Sequence, residues 1–84
     1  MKKQISVIGG INIDIKGVAD SRKITEDSYK GKIIFTPGGV ARNIAENMAR
    51  LGMKVYLFGT TSDDYFGNYI IRESKRSGVN TEFI

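Results

Sequence analysis

Two groups of residues could bind a hydroxylated small molecule. The first is Asn12 and Asp14, an amide and a carboxylate two positions apart in the alternating stretch 11–15. A strand would place both side chains on one face. There the carboxylate accepts hydrogen bonds while the amide donates or accepts, which suits the vicinal hydroxyl groups of a sugar. A half-exposed strand whose polar face meets water has the same pattern, so the spacing alone leaves both interpretations open.

The second group lies in the string Thr-Pro-Gly-Gly-Val-Ala-Arg-Asn-Ile-Ala at positions 36–45. Pro37 fixes its own φ, and Gly38 and Gly39 allow a sharp turn and a close approach of the backbone to another group. A helix starting here would present free N–H groups and the positive end of its dipole. Asn43 would add a donor and an acceptor for hydroxyl groups, and Val40 an apolar side chain at the mouth of the site. The glycine pair alone is equally compatible with a tight loop.

The helix that would carry this second group is predicted over residues 40–51. Its apolar residues fill one half of a helical wheel, and its polar residues fill the other. Gly52 stands where a C-terminal cap belongs. The apolar half contains Val40, Ala41, Ile44, Ala45, Met48, Ala49 and Leu51. The polar half contains Arg42, Asn43, Glu46, Asn47 and Arg50.

The remaining elements follow from apolar runs and capping residues. Residues 3–8, 32–36 and 54–58 predict strands, and the last of these would end the sheet with an open edge. Residues 65–77 predict a helix capped by Asp63 or Asp64, and residues 79–84 a loop entering another strand. We interpret the two aspartates as caps rather than as a metal-binding or catalytic pair. Strand, helix and strand joined by short loops predict a parallel α/β unit.

Composition excludes several classes of function. The 84 residues include no cysteine and no histidine, so disulfides, thiolate metal sites and the commonest general base are absent. The net charge of +4 is dispersed among acidic residues, which argues against a nucleic-acid partner. No stretch has the length of a membrane span or the form of a signal peptide. We therefore expect a cytoplasmic protein without a membrane partner.

The string from Gly38 to Gly52 resembles the N-terminal signature of the ribokinase-like (PfkB) carbohydrate kinases, with paired glycines, a small residue, Asn, a small residue and Gly at fixed distances. Ser62 departs from the Gly of that pattern, whereas Asp63, Asp64 and Gly67 keep the rest of a Gly-Asp-Asp-x-x-Gly string. The resemblance implies an α/β fold, namely the N-terminal part of a ribokinase-like, Rossmann-type core with a small β-lid insertion. The core would comprise about 3–10 and 37–84, and the lid about 11–36.

The same resemblance implies an ATP-dependent kinase that phosphorylates a hydroxymethyl group of its acceptor. Asn12 and Asp14 match the family's sugar-contacting Asn-x-Asp, and the acceptor wall would be completed by Gly38, Gly39, Val40 and Asn43. The lid would cover the sugar and form a homodimer contact. The family's Asp-Thr-x-Gly-Ala-Gly-Asp anion hole, with its catalytic Asp, is absent from these residues. ATP and Mg²⁺ would therefore be bound mainly elsewhere, and residues 1–84 alone would be inactive, with no catalytic residue or metal ligand assigned.

The identity of the acceptor is a finer question. The run from Pro37 to Gly52 looks most like the pseudouridine kinases of the family, because Val40 replaces a lysine that many ribokinases carry. An apolar residue there favours an acceptor that bears a base. Ribokinases and other sugar kinases share the remaining motifs and stay as alternatives. A non-catalytic sugar-binding or dimerising module, or an unrelated nucleotide-binding α/β protein whose Gly38 and Gly39 hold a phosphate, is the alternative from another class.

Overall fold

The described part of the chain has a mixed α/β architecture. The computed structural model describes residues 3–20 and 30–84. In chain order its elements are β1 (Gln4–Ile8), β2 (Asn12–Ala19), β3 (Gly31–Gly38), α1 (Val40–Arg50), β4 (Lys54–Phe58) and α2 (Tyr65–Arg76). The predicted α/β class and the predicted order of strands and helices are therefore confirmed.

β1 and β4 form the predicted parallel pair. Their register runs from Gln4 opposite Lys54 to Ile8 opposite Phe58. Alternate residues of β4 point towards α1, where they form the buried core. That core consists of Ala41, Ala45, Val55, Leu57 and Val79. Because small alanines face the strands, α1 can lie close to the sheet and hold its own N-terminus near the end of β1.

The second edge of β4 is partly covered. The Asn80 amide donates to the Val55 carbonyl at 2.9 Å, and the Leu57 amide donates to the Asn80 carbonyl at 3.1 Å. These bonds form a parallel bridge between Tyr56 and Asn80. The prediction of an open edge on this strand is therefore wrong in part, because the chain returns alongside the middle of β4 directly after α2.

β2 and β3 form an antiparallel hairpin outside the parallel pair. Asn12 lies opposite Gly38 at its base and Ala19 opposite Gly31 near its tip. β3 continues two residues beyond the predicted end at Thr36. Pro37 fits there because a strand of a two-stranded hairpin has a free edge, where a missing N–H breaks no ladder bond. The described strands fall mostly within residues 11–36, for which a lid is predicted, although β3 extends to Gly38. Residues 21–29 of that predicted lid lie outside the described residues.

α2 begins at a side-chain cap, as predicted for Asp64. Its Oδ1 atom accepts a hydrogen bond from the Gly67 amide at 2.9 Å and another from Ser62 Oγ at 2.7 Å. Both bonds lower the pKa of the Asp64 carboxyl, and the bond from the Gly67 amide has the larger effect. Ser62, which departs from the family pattern, thus supports the cap. A Cβ on Gly67 would meet the Ser62 carbonyl oxygen, so the turn is tight there.

α1 is oriented differently from its predicted apolar and polar halves. Ala41 and Ala45 are buried as expected, but Arg42 of the polar half is only 4% exposed. Three residues of the apolar half are exposed, namely Val40, Ile44 and Leu51. Arg42 is buried because α2 lies beside α1 on the side that carries this residue. There the guanidinium group finds polar partners on both helices.

Candidate binding site

Asn12, Asp14 and Gly38 meet at the base of the hairpin. Asn12 Nδ2 donates to Asp14 Oδ1 at 3.1 Å, and both side chains are exposed. A Cβ placed on Gly38 would meet Asp14 Oδ2 and would lie 3.1 Å from Asn12 Nδ2. The amide and the carboxylate therefore lie directly against the backbone of Gly38, and any side chain there would displace them.

Gly39 forms the turn between the hairpin and α1. Its φ is 97°, in the region that favours glycine. A Cβ on this residue would meet the Gly10 carbonyl oxygen and lie 2.9 Å from Asn12 Oδ1. Conformation and close approach both require glycine here. The expected role of the glycine pair, a sharp turn with close backbone contact, matches this geometry.

The N-terminus of α1 has no side-chain cap. Gly39 occupies the N-cap position, and the first turn contains no acidic residue. Among the described residues, only Arg42 of the first three helical positions donates its amide elsewhere in the chain, to the Gly10 carbonyl at 3.2 Å. The amides of Val40 and Ala41 are thus left for a ligand or for water. The carboxylate of Asp14 lies close to this positive end of the helix, a favourable electrostatic arrangement.

Val40 and Asn43 flank these groups. Val40, the first helical residue, is 76% exposed. Asn43 is also exposed, its amide donates to the Gly39 carbonyl at 2.9 Å, and its side chain lines a polar groove between the two helices together with Pro37. Within residues 3–20 and 30–84, no side-chain hydrogen bond joins Asn43 to Asn12 or Asp14. Of the six predicted site residues, the side chains of Asn12 and Asp14 contact each other and the two glycines, whereas the side chains of Val40 and Asn43 lie beside this group.

This arrangement can hold and orient hydroxyl groups. Asp14 supplies acceptors, Asn12 supplies either kind of partner, and the helix amides supply donors. Charge-assisted bonds to a carboxylate are among the stronger ones. In the described residues, no group of three or more acidic, histidine or cysteine side chains could hold a metal ion. The chemistry that these side chains offer is hydrogen bonding to hydroxyl groups.

Sequence reasoning missed two contributors to the site. Gly10 supplies the carbonyl that receives the Arg42 amide and lies against Gly39. Arg42 itself is buried against Ser74 of α2. A cation in the first turn of a helix opposes the dipole, which could have signalled that Arg42 has a specific partner. Nothing in the sequence pattern identified that partner, because the two residues lie 32 positions apart.

A parallel α/β unit with an antiparallel hairpin between its first strand and first helix, and glycines at the base of that hairpin, is the arrangement expected of a ribokinase-like kinase. The sequence model of the pfkB family carbohydrate kinases matches residues 2–84. The chain belongs to this family, which confirms the resemblance drawn from Gly38 to Gly52.

Individual relatives agree with this assignment. The chain is 46% identical over 74 residues to the uncharacterized sugar kinase YeiI of Escherichia coli, covering 88% of this chain and 20% of that protein. It is 42% identical over 78 residues to the pseudouridine kinase of Escherichia coli, covering 93% and 25% respectively. The chain thus spans a quarter or less of the length of these relatives.

Solved structures share the fold. A carbohydrate kinase from Agrobacterium tumefaciens superposes with a TM-score of 0.86 at 29% identity, over 93% of this chain and 25% of the other. A fructokinase with bound ATP from Xylella fastidiosa gives a TM-score of 0.78 at 27% identity, over 98% and 25%. These similarities confirm the ribokinase-like fold. In the part of the chain that the structure describes, neither helix is long and apolar enough to cross a membrane.

Proposed function

We propose that the full-length protein is an ATP-dependent kinase that phosphorylates the 5′-hydroxyl of a nucleoside, with pseudouridine as its first substrate. One observation carries the proposal: Asn12 and Asp14 lie against Gly38 and Gly39 at an uncapped helix N-terminus, in a member of a kinase family. This geometry suits the hydroxyl groups of a sugar, with acceptors on one side and backbone donors on the other.

Each residue has a distinct part in binding the acceptor. The Asp14 carboxylate accepts hydrogen bonds from two neighbouring ribose hydroxyls, and Asn12 orients that carboxylate through its 3.1 Å bond. Gly38 and Gly39 allow Asn12 and Asp14 to lie against the backbone of the turn, which holds the two side chains beside the start of α1. Asn43 offers a further donor and acceptor at the rim. The exposed Val40 side chain lies against the base, where an apolar surface replaces water.

The phosphoryl donor and the base lie outside this set of residues. ATP supplies the transferred phosphoryl group, and the ATP-bound fructokinase of the same fold supports that choice. Mg²⁺ and a catalytic base would be held by other parts of the protein, so residues 1–84 alone would not turn over ATP. A cytoplasmic location and the lack of a nucleic-acid or membrane partner belong to the same proposal.

The hairpin would act as the lid and as a homodimer contact. Ile15, Ile33 and Phe35 lie on one face of the hairpin, and Ile15 and Ile33 are 63% and 67% exposed. A continuous apolar surface of this kind suits burial against a second copy. The opposite face carries Asp14, so closure over the acceptor would exclude water as a competing phosphoryl acceptor.

The experiment that tests the proposal is a comparison of acceptors with the full-length enzyme. Pseudouridine, uridine, ribose and fructose are assayed side by side with ATP. We expect kcat/KM for pseudouridine to exceed that for ribose by about ten-fold or more, because apolar contact with the base is lost for ribose. Equal or better use of ribose would refute the nucleoside assignment, and no turnover of any acceptor would refute the kinase itself.

A substitution at Val40 tests the specificity more sharply. Val40→Lys places a cation where we expect the base, and we expect it to narrow the preference for pseudouridine over ribose several-fold. Ile44→Lys is the matched control, because it adds the same charge one turn further along α1 at another exposed apolar position. If both variants change the preference equally, Val40 does not contact the base.

A further inference from the structure

Arg42 is a buried cation at the contact between α1 and α2. Its Nε atom donates to Ser74 Oγ at 3.2 Å, and its Nη1 atom lies 2.6 Å from Glu46 Oε1. Arg42 is 4% exposed, and Ser74 is completely buried. Burying a guanidinium group is unfavourable unless its donors are satisfied. The residue is therefore held in one orientation by partners on both helices.

Glu46 reinforces that orientation. Its second carboxylate oxygen accepts a 2.9 Å bond from Arg50 Nε. The hydrogen bond from Arg50 contributes most to lowering the pKa of the Glu46 carboxyl, and the charge of Arg42 lowers this pKa further. Glu46 thus remains ionised at neutral pH and pairs with both arginines. Only Arg42 extends from this group into the interior, since the side chain of Arg50 is 62% exposed.

The backbone of Arg42 contacts the candidate binding site. Its amide donates to the Gly10 carbonyl at 3.2 Å. That carbonyl lies against Gly39, and Gly10 precedes Asn12 by only two residues. One residue therefore connects α2, the first turn of α1 and the loop that leads into β2.

α2 is itself fixed to the hairpin. The rings of Phe66 and Phe35 lie 5.4 Å apart, and α2 contacts both β2 and β3. The support to which Arg42 is anchored thus also holds the strands that carry Asp14. A shift of α1 relative to α2 would change the distance between the helix amides and Asp14.

We propose that Arg42 is a positioning residue for the acceptor site. By anchoring the first turn of α1 to Ser74, it sets the place of Gly39 and of the Val40 and Ala41 amides relative to Asn12 and Asp14. Arg42 does not touch the acceptor. The kinetic consequence rests on the proposed function, whereas the anchoring can be measured without it.

The test uses the full-length enzyme with Arg42→Met, which keeps an unbranched side chain and removes every donor. We expect the KM for the acceptor to rise by about ten-fold, the effect of displacing one charged hydrogen bond. The KM for ATP should stay within about two-fold, because the anchored segment faces the acceptor. Arg42→Lys should recover part of the loss, since lysine pairs with Glu46 but lacks the planar fork that also reaches Ser74.

Two further variants separate anchoring from general stability. Arg50→Met is the matched control, because it removes the other arginine of Glu46 without touching α2, and we expect both KM values to remain unchanged. Ser74→Ala removes the partner on α2 and should raise the acceptor KM several-fold. Because the two residues form one contact, the double variant with Arg42→Met and Ser74→Ala should show a smaller effect than the sum of the two single effects.

Hydrogen–deuterium exchange supplies a readout that is independent of catalysis. We expect the hydrogen-bonded amides of Arg42 and Asn43 to exchange faster in Arg42→Met, or in Ser74→Ala if Arg42→Met does not fold, and not in Arg50→Met. Unchanged exchange, or equal increases in both KM values accompanied by a lower Tm, would overturn the positioning role. An inactive wild-type enzyme would instead refute the proposed function, while exchange still decides whether Arg42 anchors the turn.

Discussion

The two helices of this chain begin in opposite ways. α2 starts at Asp64, whose carboxylate accepts the Gly67 amide and is itself held by Ser62. α1 starts at Gly39, which has no side chain, and its first turn has no carboxylate of its own. The carboxylate that lies against the preceding Gly38, that of Asp14, comes from β2 and is exposed.

The difference separates a structural helix end from one that can bind a ligand. At α2 the Asp64 side chain accepts the Gly67 amide, so the chain itself caps this helix end. At α1 the amides of Val40 and Ala41 have no partner among the described residues, and the exposed Asp14 carboxylate lies against the preceding Gly38. Leaving helix amides unpaired within the fold costs stability, and a bound polyhydroxylated acceptor would satisfy them.

The largest effect should come from adding a side chain at the uncapped N-terminus of α1. Gly39→Ala strains a residue at φ 97° and drives its Cβ into the Gly10 carbonyl. We expect kcat/KM for the acceptor to fall by about a hundred-fold or more, because the turn must move away from Asn12. Steady-state kinetics of the full-length enzyme measure this effect.

Gly52→Ala is the matched control for that variant. Gly52 has a φ of 93°, but a Cβ there would meet nothing within 4 Å. It should lose stability by about 1–2 kcal/mol from backbone strain alone, with acceptor kinetics unchanged. Equal kinetic losses in the two variants would mean that strain, and not the close approach at Gly39, limits activity.

A smaller effect is expected at the N-terminus of α2, which Asp64 caps. Asp64→Ala removes the cap of α2 and should lower the Tm, while the acceptor KM stays the same. Asp63→Ala removes the neighbouring carboxylate, which does not cap the helix, and should leave both quantities unchanged. If Asp64→Ala raised the acceptor KM without affecting the Tm, α2 would begin in the site and the contrast between the helices would be wrong.

The smallest effect concerns pH. The folded pKa of Glu46 lies below its ordinary value of 4.5, so its pairing stabilises the fold above that pH and is lost as pH falls through the lowered value. The difference in unfolding free energy between wild type and Glu46→Gln should be at most about 1 kcal/mol at neutral pH and shrink in acid. Urea titrations between about pH 3 and 7 measure it, and a difference that grows in acid would contradict the sign.

The parts of the fold governed by local pattern could be predicted from the sequence. The alanines of α1, the alternating residues of β4 and the cap at Asp64 each follow from periodicity or from a short capping motif. The contact between Asn12 and Gly38 cannot be predicted from local pattern, because the spacing of Asn12 and Asp14 also fits a half-exposed strand. The family resemblance, and not the pattern, brought those residues together in the prediction.

Two of the failures depend on where α2 lies. Arg42 belongs to the predicted polar half of α1 and is nevertheless buried, because a helical wheel does not indicate where a second helix will lie. The covered edge of β4 depends on the return of the chain after α2. Such tertiary contacts have no local signal in a single sequence.

The most direct test of the account is Asp14→Ala in the full-length enzyme, with Asp20→Ala as the control carboxylate just beyond the far end of β2. Loss of a charge-assisted bond predicts that kcat/KM for the acceptor falls by about ten- to a hundred-fold, whereas the KM for ATP barely changes. Asp20→Ala should leave both unchanged. An unchanged acceptor KM together with an altered KM for ATP would contradict the account, because Asp14 would then lie at the nucleotide end of the site.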